Sequence, residues 1–255
     1  MMMDGYEQEL GLRAVRASAE ALAVRLGLRA IEVPTKLRRI EGKLRDRPVA
    51  LRMRRFAGDE LAVLTIAEIV EHDDGSLRAV TVIGMPGDGS LAPVLGIDLV
   101  ALGGSLSLIA VDLAPTDAAV WDAHAEPLLT RLHHASAAAV VPRRWPGFAV
   151  EVFSRRALLA AARRGGESAA LDAVARFAVS LAPLYAGDGA DRADAGRVAA
   201  AAERRRGWCL AERRNRREHD ALTQMFGPGP AAATLDLLFP TGDSIDDNLD
   251  DGRHE

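Results

Sequence analysis

The chain is 255 residues long, 49% hydrophobic and 27% charged, with a formal net charge of −4, the composition of an ordinary globular protein of one large or two small domains. No run of about 18 apolar residues occurs, which excludes a membrane-spanning helix, and the lone Cys209 excludes an intrachain disulfide and an all-cysteine metal cluster. The start shows no basic region followed by an apolar one, so no secretory signal is read there and a cytoplasmic protein is expected.

Residues 5–27 carry Leu12, Val15, Ala19, Leu22 and Leu26 at helical spacing with arginines between, which predicts an amphipathic helix. From about residue 29 to 112 the pattern changes to strands. Ala30 to Val33 is short, and Val49 to Arg54 alternates. Leu61 to Glu71 and Leu77 to Met85 read as a hairpin across the turn sequence 72–76. Leu95 to Leu102 and Leu106 to Leu113 make a second hairpin across Gly103-Gly104. Strands joined by short turns predict an antiparallel meander, in contrast to a nucleotide-binding sheet whose strands alternate with helices.

After Pro115 the expectation is helical. Asp117 to Ala139 is one helix, with Pro127 a kink or break; Ser154 to Arg164 and Ser168 to Tyr185 follow, separated by Gly165-Gly166. A Gly- and Asp-rich loop at 187–191 leads into a long helix from about Ala195 to Phe226. Gly227-Pro228-Gly229-Pro230 ends it, and Ala231 to Phe239 is a last short helix. The segment from residue 243 holds Asp243, Asp246, Asp247, Asp250, Asp251 and Glu255 against Arg253 alone, so 241–255 is read as an acidic, disordered tail to a domain spanning 1–240.

The strand Val94 to Ala101 has one carboxylate in its middle. Leu95, Ile97, Leu99 and Ala101 fall on one face, wholly apolar, and read as core; Gly96, Asp98 and Val100 share the other. A buried carboxylate without partners is costly or takes up a proton. Asp98 is therefore either satisfied by a structural partner or kept as a proton donor for something seated over the bare backbone of Gly96.

Other chemistries lack their residues. His133 and His134 are adjacent and point apart on a helix, His72 lies in a turn, and the rest are single, so no metal motif is present. Gly84 to Gly89 is a turn that opens no helix and is no phosphate loop. Ser154, followed by Arg155-Arg156, does not resemble a hydrolase nucleophile. Seven arginines crowd residues 204–217 among Glu203, Glu212 and Glu218. They read as a solvated, salt-bridged face, as partners for ligand carboxylates, or as a docking site for an acidic protein. At 4% aromatic residues, the chain lacks the stacking platforms of a nucleic-acid binder.

Three stretches carry a family likeness: Val80 to Pro86 followed by Ala92-Pro93-Val94-Leu95-Gly96-Ile97-Asp98 and on to Leu108 through Pro115; Trp145 to Arg155 with Phe153-Ser154; and Trp208-Cys209-Leu210-Ala211-Glu212 with Asn215, Phe226-Gly227 and Leu237-Leu238-Phe239. In this order they resemble the ferredoxin-dependent bilin reductases, which reduce biliverdin, the open-chain product of haem cleavage. The resemblance covers about residues 45–240. It implies an α+β fold, a three-layer α/β/α sandwich around a central antiparallel sheet, in a monomer.

It also implies chemistry with no bound flavin, nicotinamide or metal, in which reduced ferredoxin supplies electrons singly and side chains protonate a bilin radical. Asp98 falls on the family's central acid, and Thr81, Gly96 and Asn215 are the bilin contacts it suggests. Two departures bear on the product. Thr81 stands where phycocyanobilin-forming members have histidine, and Ile69 where they have a glutamate; Glu68 is adjacent but points the other way. Reduction of biliverdin IXα or a dihydrobiliverdin at the 15,16 bridge or the A-ring diene is expected over the D-ring vinyl group. The alternative is a tetrapyrrole carrier without catalysis.

Overall fold

The structure, a computed structural model, describes residues 2–71, 77–102, 105–145, 147, 153–186 and 194–241, with the side chains of residues 2–10 and Leu77 outside that description. The turn 72–76, Gly103-Gly104, the loop 187–191 and the acidic tail from residue 242 therefore lie outside the described residues.

Strands β1 (Arg29–Ile31), β2 (Arg39–Leu44), β3 (Arg47–Ala57), β4 (Val63–Glu71), β5 (Leu77–Met85), β6 (Val94–Leu102), β7 (Ser105–Ala114), β8 (Val140–Pro142) and β9 (Leu158–Ala162) form one sheet of order β1-β3-β4-β5-β6-β7-β9-β8. Every pairing is antiparallel, and β2 lies end to end with β1 along the same edge of β3. The hairpins expected at 61–85 and 95–113 are β4–β5 and β6–β7.

Helices cover both faces. On the first lie α1 (Met2–Arg25), α4 (Glu126–Ser136) and α5 (Glu167–Val179). Leu12, Val15, Ala19 and Leu22 of α1 pack there with Leu95, Ile97, Leu99 and Ala101 of β6, all at 2% exposure or less, as the alternation in the sequence requires. Two other segments, α2 (Thr35–Arg38) and α3 (Ala118–Val120), are single turns. On the second face lie α7 (Ala195–Arg213), α8 (Arg216–Phe226) and α9 (Pro228–Leu238), with the one-turn α6 (Ala182–Tyr185) between α5 and α7 in sequence. Their Cys209, Leu222, Phe226, Leu235 and Leu238 bury Leu51, Met53, Ile83 and Val94 of the sheet. The three layers are those expected.

The structure corrects three local expectations. Residues 154–164 are not a helix: Leu158–Ala162 is β9, paired with β7 and β8. Its three alanines favour a helix, and pairing with the open edge of β7 overrides that preference. The helix expected over 195–226 is two, broken at Arg214-Asn215, where Asn215 leaves the helical region with ψ 93°. The last helix begins at Pro228, earlier than expected, because Gly227 takes φ +86° and proline is tolerated at a helix's first position. At Pro127, where a kink or break was expected, the segment departs from α geometry: a π-helical turn over Trp121–Ala125 leads into α4, and the proline sits in its first turn. Strand β2 and the α2 turn had no counterpart in the sequence reading.

Candidate functional site

Between the second sheet face and the C-terminal helices lies a cavity of about 430 Å³, within the range of small-molecule sites. Its sheet wall follows from strand register. Thr81 of β5 is directly opposite Asp98 of β6, which is opposite Ala110 of β7; in the next row Ile83, Gly96 and Asp112 are aligned. All six side-chain positions face the cavity. A Cβ added to Gly96 would meet no atom within 4 Å, so the bare backbone borders open space.

The Thr81 hydroxyl donates to Asp98 Oδ1 at 2.9 Å. Burial pushes the Asp98 carboxyl up to about 6, and the Thr81 hydrogen bond works against that rise. Replacing Thr81 by valine should therefore raise the Asp98 pKa. One neutral hydrogen bond is worth about 1 kcal/mol, or about 0.7 pH unit. A pH titration of turnover should show the descending limb displaced upward by about that amount, and an unmoved limb would separate Thr81 from the acid's titration.

Asp112, quoted in the sequence only as part of the family likeness, is a second cavity acid. It is 4% exposed and accepts from the Ser154 backbone N–H at 2.7 Å and from Ser154 Oγ at 2.5 Å. Burial pushes it up to about 6 against those bonds. Ser154 thus ties the segment carrying Phe153, which lines the cavity, to β7. Its role here is structural, as its lack of a nucleophile motif suggested.

The helical wall holds two acids that the sequence hid inside a charged run. Glu212 near the end of α7 is 5% exposed and is pushed up to about 7, first by burial and then by the charge of Asp98. Asn215 hydrogen-bonds to it and pulls the other way. Glu218 in the first turn of α8 is raised well above the ordinary range by burial, Asp98 and Glu212. Glu212 and Glu218 lie in different helices, and the break at Arg214-Asn215 between them brings both to the cavity. Glu68 points to the opposite sheet face, as alternation demanded, and pairs with Arg16 at 3.3 Å and Arg54 at 3.0 Å. Ile69 does line the cavity.

The arginine run mostly serves the protein itself. The 4%-exposed Arg205 donates to the carbonyls of Ser90 at 2.6 Å and Asp88 at 3.0 Å, pinning the loop between β5 and β6. Arg204 donates to the Thr116 carbonyl, Arg206 pairs with Glu203, and Arg213 pairs with Asp236. Of the run, Arg217 alone lines the cavity, together with Arg143 and Arg144; all three are exposed, so they stand at its edge. Among the described residues no group of three metal-binding side chains occurs, and no helix is long and apolar enough to cross a membrane.

Fold and site together define a cavity between a sheet and a helical wall, lined mostly by apolar side chains and by acids whose pKa values burial raises. Comparison with known proteins makes the class specific. The family model for ferredoxin-dependent bilin reductase matches residues 16–240, and the chain belongs to that family. It is an oxidoreductase acting on a bilin, with ferredoxin as the family's electron donor. Among solved structures, the selenomethionine form of tomato phytochromobilin synthase in complex with biliverdin is similar, with a TM-score of 0.73 at 14% identity. That match covers 91% of this chain and 84% of the other. The chain matches none of the curated protein sequences.

Proposed function

We propose that the cavity binds biliverdin IXα or a dihydrobiliverdin, and that Asp98 protonates it as reduced ferredoxin delivers electrons one at a time. The observation that carries this reading is Asp98 itself: a carboxyl in the middle of the cavity's sheet wall, raised to about 6 by burial, beside the open backbone of Gly96. Each double bond reduced takes two electrons and two protons. A donor with a pKa near the working pH is suited to supplying them. Thr81 and Gly96 border the ligand beside Asp98, and Asn215 borders it from the helical side.

Exposed Arg143, Arg144 and Arg217 at the cavity's edge suit the two propionates, because guanidinium matches carboxylate geometry. The residues on the wall favour the 15,16 bridge or the A-ring diene as the reduced position. Thr81 is no proton donor at neutral pH and Ile69 has no ionisable group, so the positions where phycocyanobilin-forming members carry histidine and glutamate add no acid to Asp98 here.

An anaerobic absorbance time course with biliverdin and a reduced plant-type ferredoxin tests the reading. The expected result is a bound-biliverdin band that decays through a radical to a blue-shifted product. A bound pigment that is never reduced would instead identify a carrier, and no spectral change on mixing would remove both.

A further inference from the structure

We infer that ferredoxin docks edge-on against β8, on a basic surface formed by Arg155, Arg163 and Arg164 around the exposed Val141. Resting on the reading of the cavity as a bilin reductase site, this adds where the electron carrier sits. Residues 127–166 hold seven arginines and a single acid, Glu151, in a chain whose net charge is −4. The described part of that segment forms α4, β8 and β9, at one end of the sheet. The His133 ring of α4 meets the Arg156 carbonyl at 2.8 Å, which ties the helix to the residues leading into β9.

The fold does not consume this charge. All seven arginines are exposed, and among the described residues only Arg156 forms an ion pair, with Glu126 at 2.7 Å. Strand register keeps the others close together. The Arg143 N–H donates to the Leu159 carbonyl and the Arg163 N–H to the Ala139 carbonyl, so the two positions are about 13 Å apart along the ribbon. Val141 lies between them at 44% exposure, one of four large apolar side chains so open among the described residues. The arginines of α7 and α8 are a poorer match for an acidic partner. Arg204, Arg206 and Arg213 are bonded within the protein, and Glu203, Asp220 and Asp236 stand exposed among them.

The surface suits a carrier that comes and goes. Each double bond takes two electrons and ferredoxin brings one per encounter, so two carriers must arrive and leave for every bond reduced. That exchange needs fast association more than tight binding, and unpaired surface charge supplies it. Electron-transfer encounters bury less than about 1,200 Å², a footprint that one apolar residue ringed by cations can fill. The position also shortens the electron's path. Leu158 and Leu159 of β9 line the cavity, as do Arg143 and Arg144 beside β8. Strand β8 lies two strand spacings, about 10 Å, from β7, which carries Ala110 and Asp112 on the cavity wall.

Equilibrium binding of a plant-type ferredoxin without bilin, and KM for reduced ferredoxin during turnover, test the inference. Wild type is compared with Arg163→Glu/Arg164→Glu, with Arg155→Glu at the other end of the surface, and with Arg214→Glu/Arg216→Glu as a control of equal charge change on the C-terminal helices. Circular dichroism confirms that each variant is folded. At low ionic strength Arg163→Glu/Arg164→Glu should bind ferredoxin about tenfold more weakly, equivalent to about 1.4 kcal/mol. Its KM should rise alike, and its affinity should depend less steeply on salt. Arg155→Glu should move both quantities the same way by about threefold, and the control should move them less than either. A control loss as large as that of Arg163→Glu/Arg164→Glu overturns the inference, as does unchanged affinity in the variants at the β8 edge. If those variants instead self-associate at unchanged ferredoxin affinity, the inference is overturned and the arginines serve to keep the strand edge unpaired. Ferredoxin affinity lost as expected in a protein that never reduces biliverdin supports the inference and removes the reductase reading. Turnover retained with an unmoved KM does the reverse.

Discussion

Asp98→Asn should bind biliverdin within about threefold of wild type and form product at least about 100-fold more slowly. Asparagine keeps the shape of the side chain, and its amide oxygen still accepts the Thr81 hydroxyl that now meets Oδ1 at 2.9 Å. The transferable proton is what disappears, and a positioned general acid contributes about 10²–10⁴ in rate. The electron and proton steps separate in this variant. With reduced ferredoxin present, the one-electron radical should still form and then accumulate, because the step that consumes it needs the missing proton. Wild-type activity should fall as pH rises above about 6, where burial has placed the Asp98 pKa. In Asp98→Asn the residual rate should lose that limb. Single-turnover absorbance across pH reads both effects. Full turnover by the variant would remove Asp98 from the mechanism.

How far this site could be read in advance depended on the range of the contacts that make it. The sheet wall was legible because strand alternation is local: Asp98, Gly96 and Val100 had to share a face opposite Leu95, Ile97 and Leu99, and Glu68 had to turn away from Ile69. The pairing of β5 with β6, which belongs to neither hairpin, is what sets Thr81 opposite Asp98 in the structure. The helical wall was not legible, for two reasons. Glu212 and Glu218 sit among arginines in a stretch whose local pattern is that of a solvated face, and only the break at Asn215 brings both acids to the cavity. Residues 195–226 lack an internal proline or a sharp apolar boundary, so the only local mark of that break is Asn215, a helix-capping residue type with Glu218 three residues on. Strand β9 was hidden because alanines at 160–162 favour a helix, and pairing with the neighbouring β7 overrides that preference. Asp112 could have been found by parity, lying two residues beyond Ala110 on the inward face.

Glu212→Gln should be more stable than wild type at pH 8 and indistinguishable from it near pH 4. Glutamine preserves the side chain's volume and can still hydrogen-bond to Asn215. In the folded protein the Glu212 carboxyl is pushed from the model-peptide value of 4.5 up to about 7, by burial first and by the charge of Asp98 second. A group whose pKa is higher in the folded state favours folding in its protonated form. That contribution is whole below about pH 4.5 and is lost as pH rises through about 7. At about 1.4 kcal/mol per unit, the loss above neutrality is at most about 3.5 kcal/mol, an upper bound because Asp98 and Glu218 titrate with it. Glu71 and Asp117, held below their ordinary values by hydrogen bonds from Arg78 and Arg197, act with the opposite sign and weaken the fold as pH falls. Both variants share those two groups, so the difference in Tm between them isolates the cavity. It should open between about pH 4.5 and 7 and stay constant above. A difference that is flat across this range would mean that Glu212 is ionised alike in the folded and unfolded chain. The expected slope identifies a cavity that favours its acids protonated and loses stability when they ionise. An apolar bilin seated against the same wall removes more water from the carboxyls and raises them further, so binding the substrate itself should draw in the protons its reduction consumes.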